Sequence, residues 1–382
     1  MSRPALVVLG ATGSIGTQTL EVADGLGLEV AVLAARRPSE ALAGLGRRYP
    51  DAEVIVAGGS GEELDDFQRS LGRPPERGAD AILEAARHPG RVVVNGIVGA
   101  AGLRATVAAI EAGNRVALAN KESLVAGGPV VVSALETHGG ELVPVDSEHS
   151  ALYQCLAGEP AESVSRLVLT ASGGPFRGRS REDLAIVTPQ EALRHPTWDM
   201  GSRITIDSAT MFNKGLEIIE THFLFDIDYD RIEVVVHPQS ILHSAVEFVD
   251  GSWKGHFGYP DMRIPIQYAL TAPKRSASPV DPFTLAGMDL TFEEPDREAF
   301  PALDIALEVG QRGGSAPAVM NAADEMAVEA FLQGRLGFLG ITDVVRRTVE
   351  DVDWREVETV EDVVEVDSEA RSVAAGLISG VC

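Results

Sequence analysis

The sequence predicts an α/β protein in three parts: a doubly wound N-terminal domain, a mixed α+β middle domain and a small C-terminal helical domain. Three observations carry this. An apolar run, a glycine turn and a helical stretch open the chain in βαβ order. From Glu141 onward the pattern shifts to mixed strands and helices that carry most of the unusual polar residues. Beyond residue 299 strands are scarce, and Ala318, Met320, Ala323, Met326, Ala327, Ala330 and Phe331 fall at helical spacing. The predicted boundaries are 1–145, 146–275, a linker at 276–298, and 299–382.

The elements follow in order. Ala5–Leu9 is a short apolar β run, Gly10-Ala11-Thr12-Gly13-Ser14-Ile15-Gly16 a glycine turn, and a helix runs on to about residue 26. A second strand is predicted at 29–34, and looser copies of the unit pass through 54–56, 92–94 and 116–118. That repetition makes the first domain Rossmann-like. Residues 271–295, rich in Pro and Ser with little periodicity, read as a linker, and the Glu and Asp run at 350–369 as a solvated surface.

At 382 residues the chain is too long for one ordinary core. Its 45% hydrophobic and 23% charged residues are the balance of a soluble globular protein. A net charge of −25 repels nucleic acid and anionic lipid, so a phosphate-bearing partner is expected to be small and held by a few placed cations and backbone amides. Cys155 and Cys382, the only cysteines, fit neither a disulfide framework nor a zinc site, which points to a reducing cytoplasm. The apolar start is too short for a signal peptide, and no run approaches the roughly 18 apolar residues of a membrane span.

Glycines 10, 13 and 16 permit a tight turn and close backbone approach, and the helix that starts there points N–H groups at an anion such as pyrophosphate. Thr12, Gly13, Ser14, Ile15 and Gly16 are therefore candidate cofactor contacts. The bland alternative is an ordinary glycine turn. Beyond the second strand, where an acid would select NAD, the chain has Ala35, Arg36 and Arg37; two cations favour a 2′-phosphate and hence NADPH. Asn95-Gly96-Ile97-Val98-Gly99 and Ala119-Asn120-Lys121-Glu122 each follow an apolar strand and suit the nicotinamide side, although Lys121 alone reads as a surface lysine.

Asp146 and Glu148 stand two residues apart, and on a continuing strand their α-carbons would lie about 6.6 Å apart on one face. Two charges at that separation repel by about 2.5 kcal/mol at an effective dielectric near 20, so an enclosed site needs a cation such as Mg²⁺ or Mn²⁺. A solvated edge is the alternative. In Asp207-Ser208-Ala209-Thr210-Met211-Phe212-Asn213-Lys214-Gly215-Leu216-Glu217, Asp207 or Ser208 is expected as a helix N-cap, with Asn213, Lys214 and Glu217 on one helical face. Hydroxyl, amide and lysine suit a phosphate, and Glu217 offers a third carboxylate; a plain amphipathic helix with a Lys214–Glu217 pair is the other reading. Ser172-Gly173-Gly174 offers backbone donors to an anion. Thr188-Pro189-Gln190-Glu191 is a capping box that leads to a loop with His195, Trp198 and Gly201, expected as a lid that excludes water.

GATGSIG, ANKESL, VDSEH, SGGPF, HPTWDMG, DSATMFNKGLE, HPQSILHS and PDMRIPI occur in the order and approximate spacing of the 1-deoxy-D-xylulose 5-phosphate reductoisomerase family, which the chain resembles from residue 5 to about 340. The resemblance implies NADPH-dependent rearrangement and reduction of that ketose phosphate to 2-C-methyl-D-erythritol 4-phosphate, a step of isoprenoid synthesis. It implies a divalent cation (Mg²⁺, Mn²⁺ or Co²⁺) on Asp146, Glu148 and Glu217, and substrate contacts from Ser147, Glu148, Ser172, His195, Ser208, Asn213, Lys214 and Glu217. Lys121, Glu148, His195 and His243 are the implied catalytic groups, and Gly201 and Met262 join Asn120, Lys121 and Glu122 at the nicotinamide. A homodimer is implied as well. This chain departs from the family at Ala35 and Arg37, after the second strand, and at Asp324, where Asn is usual. Two other readings are a semialdehyde-type NADP-dependent dehydrogenase using Cys155 and a non-enzymatic NADPH sensor.

Overall fold

The computed structural model describes residues 4–99, 101–198 and 200–381; Asp199 of the HPTWDMG stretch and Cys382 lie outside the described residues. The chain forms two compact units. One comprises the residues up to Ser123 with Val131–Ser150 and Asp261–Pro282, the other Leu124–Val130, Ala151–Pro260 and the chain from Phe283 on.

The first unit is built on a seven-stranded sheet of β1 (Ala5–Leu9), β2 (Val30–Ala35), β3 (Glu53–Val56), β4 (Glu76–Arg77), β5 (Arg91–Asn95), β6 (Arg115–Leu118) and β7 (Glu141–Pro144). The order is β4-β3-β2-β1-β5-β6-β7 and every pairing is parallel. Its central strands are runs of buried Val, Leu, Ile and Ala, as a parallel sheet covered on both faces requires. Because all strands point one way, the segments that follow β1, β2, β5, β6 and β7 emerge along one edge. Strand order reverses at β1, the position where open parallel sheets bind ligands. Helix Arg263–Thr271, remote in sequence, packs against helix Ser14–Leu26.

The second unit holds a four-stranded sheet of β8 (Val164–Ala171), β9 (Ile232–Val236), β10 (Leu242–Phe248) and β11 (Trp253–Phe257), in the order β11-β10-β8-β9. Only β8 and β9 run parallel. Helices Ser202–Thr210 and Phe212–Phe225 pack on one another, and the second packs on helix Ala302–Arg312 so closely that a Cβ on Gly215 would stand 2.7 Å from that of Ala306. Helices Ala316–Leu332, Phe338–Asp351 and Val360–Val381 complete the C-terminal part. One hydrophobic core runs from Leu169, Phe212 and Val246 to Ala306, Phe331 and Val345, so the sheet and the C-terminal helices share their buried interior. No helix of the described residues is long and apolar enough to cross a membrane.

Candidate active site

The glycine turn joins β1 to helix Ser14–Leu26. Gly10 has φ +86°, and a Cβ there would lie 2.6 Å from the Gly96 carbonyl; a Cβ on Gly16 would lie 2.3 Å from that of Gly10. Neither glycine can be replaced without moving the turn. Gly13 is the helix N-cap and gives the first turn no side-chain hydrogen bond, a setting in which a helix start can bind an anion. Thr12, Gly13 and Ser14 are exposed and Ile15 is partly so. The N–H groups of Gly10 and Ala11 both donate to Ala34 O at 2.9 Å, which stitches the turn to the end of β2. Buried Ala35 ends that strand, and exposed Arg36 and Arg37 follow it. Met262 begins the helix packed on Ser14–Leu26.

Asn120, expected at the cofactor, is bonded within the protein. Its amide donates to Ile97 O at 2.7 Å, Gly99 O at 3.1 Å and Glu122 Oε2 at 2.7 Å, fixing the loop after β5 to the end of β6. Lys121 and Glu122, next to it, are buried as well.

The acidic stretch departs from expectation. The strand does not continue: β7 ends at Pro144 and a helix occupies Ser147–Leu156. Asp146 takes the capping position, its backbone carbonyl accepting from Ser150 N at 2.8 Å and its Oδ1 from Glu148 N at 3.2 Å. Asp and Ser favour helix starts over strand interiors, which decides the local conformation. The turn also brings carboxylate oxygens of Asp146 and Glu148 within 4.8 Å of each other, and the Ser147 hydroxyl donates to Glu148. Lys121 Nζ lies 2.6 Å from Asp146 Oδ2, and buried His149 places Nδ1 3.5 Å from Oδ1. Burial opposes ionisation of Asp146, but the Lys121 ammonium and the His149 imidazole outweigh it and hold the carboxyl well below the usual range. Sequence reasoning gave His149 no role; Asp-x-x-His across the first turn of a helix was the available signal.

In the second unit, Asp207 and Ser208 are not N-caps. They lie inside helix Ser202–Thr210, and the helix that carries Asn213, Lys214 and Glu217 starts afresh at Phe212 after Met211, whose φ of +70° breaks the run. The expected face is present: Asn213 Nδ2 donates to Glu217 Oε1 at 2.6 Å and the Lys214 ammonium pairs with Oε2, with Lys214 and Glu217 buried. The Thr188 capping box is also formed, as the hydroxyl accepts from Glu191 N and the carboxylate accepts from Thr188 N at 2.9 Å.

His195 joins two distant hydroxyls. Its Nε2 lies 3.1 Å from Ser172 Oγ and 3.1 Å from Ser208 Oγ. Its Nδ1 accepts from the backbone N–H of Thr197 at 3.2 Å and of Trp198 at 2.9 Å. A nitrogen that accepts carries no proton, so the neutral ring bears its hydrogen on Nε2. That single hydrogen is available to the two serine oxygens, and a hydroxyl that accepts it keeps its own proton to offer elsewhere. Ser172 Oγ also accepts from Gly174 N at 3.2 Å, and Gly174, at φ +67°, sits so near the Ser208 carbonyl that a Cβ would stand 2.6 Å from it. Burial lowers the His195 pKa, which keeps the ring neutral. Gly201 caps the Ser202–Thr210 helix. His243 lies buried on β10, its ring centroid 5.7 Å from that of His256. Cys155 is buried within helix Ser147–Leu156 and belongs to the hydrophobic core, an inert setting for a nucleophile.

Family profiles match most of the chain. One described as 1-deoxy-D-xylulose 5-phosphate reductoisomerase matches residues 6–128, and the C-terminal domain profiles of the same family match 142–225 and 257–373. Two relatives called 1-deoxy-D-xylulose 5-phosphate reductoisomerase are those of Heliobacterium modesticaldum, 48% identical over 97% of this chain and 96% of the relative, and Zymomonas mobilis, 45% identical over 100% of both. A solved Zymomonas mobilis structure in complex with NADPH aligns with a TM-score of 0.92 at 43% identity, covering 99% of each chain. A reductoisomerase structure with NADPH, fosmidomycin and magnesium gives 0.91 at 35% identity, covering 98% of each.

Two outcomes follow from the geometry. Replacing Arg36 and Arg37 by Ala is expected to raise the KM for NADPH roughly tenfold to a hundredfold, the equivalent of about 1.5–3 kcal/mol for hydrogen bonds to a charged group. The KM for NADH should hardly move, and equal loss with both cofactors would reject the 2′-phosphate contact. His195 fixes the sign of a pH effect. With its folded pKa below the ordinary 6.5, its contribution to stability is complete above that value and declines as the pH falls towards the folded pKa. Nitrogen NMR of the ring should show the Nε2–H form at neutral pH, and the Trp198 amide should shift only when the ring protonates on the acid side. An Nδ1–H ring at neutral pH would contradict the assignment.

Proposed function

The chain belongs to the 1-deoxy-D-xylulose 5-phosphate reductoisomerase family and converts 1-deoxy-D-xylulose 5-phosphate to 2-C-methyl-D-erythritol 4-phosphate with NADPH and a divalent cation, and from that premise we propose how its residues divide the work. The observation that carries this division is His195 between Ser172 and Ser208, because it turns two hydroxyls from remote segments into one set of oriented donors.

Those hydroxyls, with Asn213 and the Lys214 ammonium, hold the substrate phosphate. Binding so far from the reacting carbons gives orientation, and a fixed geometry lowers the barrier of a rearrangement whose parts must stay aligned. His195 and Trp198 cover the phosphate and exclude water, and His243 supplies a second imidazole on the substrate. Asp146, Glu148 and Glu217 are the cation's ligands: three carboxylates are the oxygen donors a hard divalent ion prefers. When bound, the cation withdraws charge from the ketose carbonyl and hydroxyl oxygens, lowering the cost of breaking and re-forming the carbon–carbon bond. Lys121 and Glu148 move protons at those oxygens, with the Ser147 hydroxyl orienting the Glu148 carboxylate.

For the cofactor, residues 12–16 give backbone donors to the pyrophosphate, and Arg36 with Arg37 takes the 2′-phosphate. Asn120, Glu122, Gly201 and Met262 border the nicotinamide. The polypeptide divides its tasks as residues 1–145 for NADPH, 146–275 for cation and substrate, and 299–382 as helical support. The buried thiol of Cys155 supports a cytoplasmic setting.

The enzyme acts as a homodimer in this reading. β11 is an outer strand of its sheet, with Trp253 and Phe257 exposed and Tyr259 just beyond, and an open apolar edge invites pairing with a second copy. Sedimentation should then give twice the 40.4 kDa chain mass, and a monomer at micromolar concentration would refute the dimer.

NADPH oxidation on addition of 1-deoxy-D-xylulose 5-phosphate, followed at the cofactor's absorbance band, tests the whole assignment. Chelator-treated protein should still bind NADPH but show no turnover, and Mn²⁺ or Mg²⁺ should restore it. Glu217→Gln should stay inactive and bind Mn²⁺ at least about tenfold more weakly in a calorimetric titration, since an amide lacks the charge that offsets dehydration of the ion. Full activity after verified metal removal would defeat the reading.

A further inference from the structure

A closed ring of buried polar groups in the first unit holds the loop after β5. Its side chains come from three segments: Asn95 at the end of β5, Thr106 in helix Ala101–Glu111, and Asn120 with Ser123 beyond β6. Asn95, Thr106 and Ser123 are 0% exposed and Asn120 2%. Asn95 Nδ2 lies 2.8 Å from Thr106 Oγ1, which lies 3.1 Å from Ser123 Oγ. The Ser123 hydroxyl donates to Asn120 Oδ1, and Asn120 Nδ2 donates to Ile97 O at 2.7 Å. Ile97 N donates in turn to Asn95 Oδ1 at 3.2 Å, so the ring closes through the main chain of one loop residue.

Donor chemistry gives the ring one sense. An amide oxygen carries no hydrogen, so Ser123 is the donor to Asn120, and its single proton is thereby committed. Thr106 is then the donor to Ser123, and it accepts from the Asn95 NH₂ group, which can only donate. A flipped Asn120 would set its oxygen against the Ile97 and Gly99 carbonyls and the Glu122 carboxylate, so its orientation is fixed as well. Asn95 Nδ2 also donates to Gly102 O at 2.9 Å, and a Cβ on Gly102 would stand 2.5 Å from Asn120 Oδ1, so the helix start fits closely against that amide. Hydrogen bonds that run in one direction around a buried ring polarise one another, which strengthens the set.

The loop so held adjoins the cofactor turn: Gly96 N donates to Leu9 O at 2.9 Å, and Gly10 packs on the Gly96 carbonyl. Its apolar side chains stand towards solvent, Ile97 partly and Val98 at 74% exposure. From this geometry we propose that the ring builds the seat of the cofactor's nicotinamide half, presenting Ile97 and Val98 as an apolar face to the planar ring. Thr106 and Ser123 are positioning residues: too deeply buried to touch a ligand, they act through Asn120 and the Ile97 peptide. The inference rests on the reading of Asn120 and Glu122 as nicotinamide neighbours.

Direct binding separates this role from a general loosening of the unit. Thr106→Val keeps the shape of the side chain but opens the ring, whereas Thr106→Ser keeps the hydroxyl. In calorimetric titrations without substrate or metal, Thr106→Val and Ser123→Ala should each raise the dissociation constant of NADPH by about threefold to tenfold, as for a hydrogen bond lost from a buried set. ADP-ribose 2′-phosphate has the same phosphates and adenosine but no nicotinamide; it should bind both variants as it binds the wild type. Thr106→Ser should restore the affinity for NADPH. Equal losses for the two ligands, or an unchanged affinity for NADPH, would overturn the proposal. Glu122→Ala tests the reading beneath it. If that variant binds NADPH as the wild type does, residues 120–122 do not border the nicotinamide and the ring has no such function. If it loses NADPH while Thr106→Val does not, that reading stands and the ring proposal alone fails. In the wild type, the side-chain amide signals of Asn95, buried out of reach of any ligand, should shift on addition of NADPH but not of ADP-ribose 2′-phosphate. Signals that answer both ligands alike, or neither, would end the proposal even if the variants failed to fold.

Discussion

A carboxylate taken out of water needs a counter-charge or a proton, since the effective cost of an unpaired buried ion is several kcal/mol. The functional chemistry of this chain is arranged around that requirement. Asp146 meets Lys121, Glu217 meets Lys214 and Asn213, and Glu325 lies between Arg203 and Arg371. Each pair holds its carboxylate in one orientation, and at the first two places the carboxylates are of the kind a divalent cation prefers.

The same economy of positive charge shapes phosphate recognition. With 32 basic residues against 57 acidic ones, the chain cannot hold two phosphorylated ligands by an extended basic surface. In the proposed division of work it relies on oriented neutral donors: the start of helix Ser14–Leu26, the Ser172 loop and the Ser208 hydroxyl. Neutral donors work only when prearranged. Gly10, Gly16 and Gly174 allow the necessary backbone approaches, and the tautomer of His195 aims two hydroxyls at once. A protonated His195 would set an Nδ1–H against the N–H groups of Thr197 and Trp198, and burial, which lowers the ring's pKa, favours the same neutral form.

In the first unit the parallel sheet supplies the frame. Since β1, β2, β5, β6 and β7 all run one way, Gly10, Arg36, Gly96, Lys121 and Asp146 follow strand ends on one edge despite lying far apart in sequence. Asn120 then ties the loop after β5 to the end of β6, so that edge is held by a side-chain amide as well as by the ladder. In the second unit the core that joins β8 and β10 to the C-terminal helices gives the Ser202–Thr210 helix a rigid backing.

Much of this was legible in the residues alone, and what was legible is local. The glycine spacing at 10, 13 and 16, the Thr188–Glu191 capping box and the Asn213–Lys214–Glu217 face are set by contacts within one or two helical turns, so periodicity and capping chemistry determine them. The ordered series of motifs extended that reading to the family and its cofactors. Where a short-range preference met a competitor, the sequence left the outcome open: the strand ending at Pro144 turned Asp146 into a helix start, and Met211 divided what looked like one helix. Tertiary structure alone decided the rest. Lys121 reaches Asp146 across 25 positions, His195 reaches Ser172 across 23, and Arg203 reaches Glu325 across 122. Such contacts depend on how whole elements pack, and no pattern within a window of sequence encodes which distant acid a cation will reach.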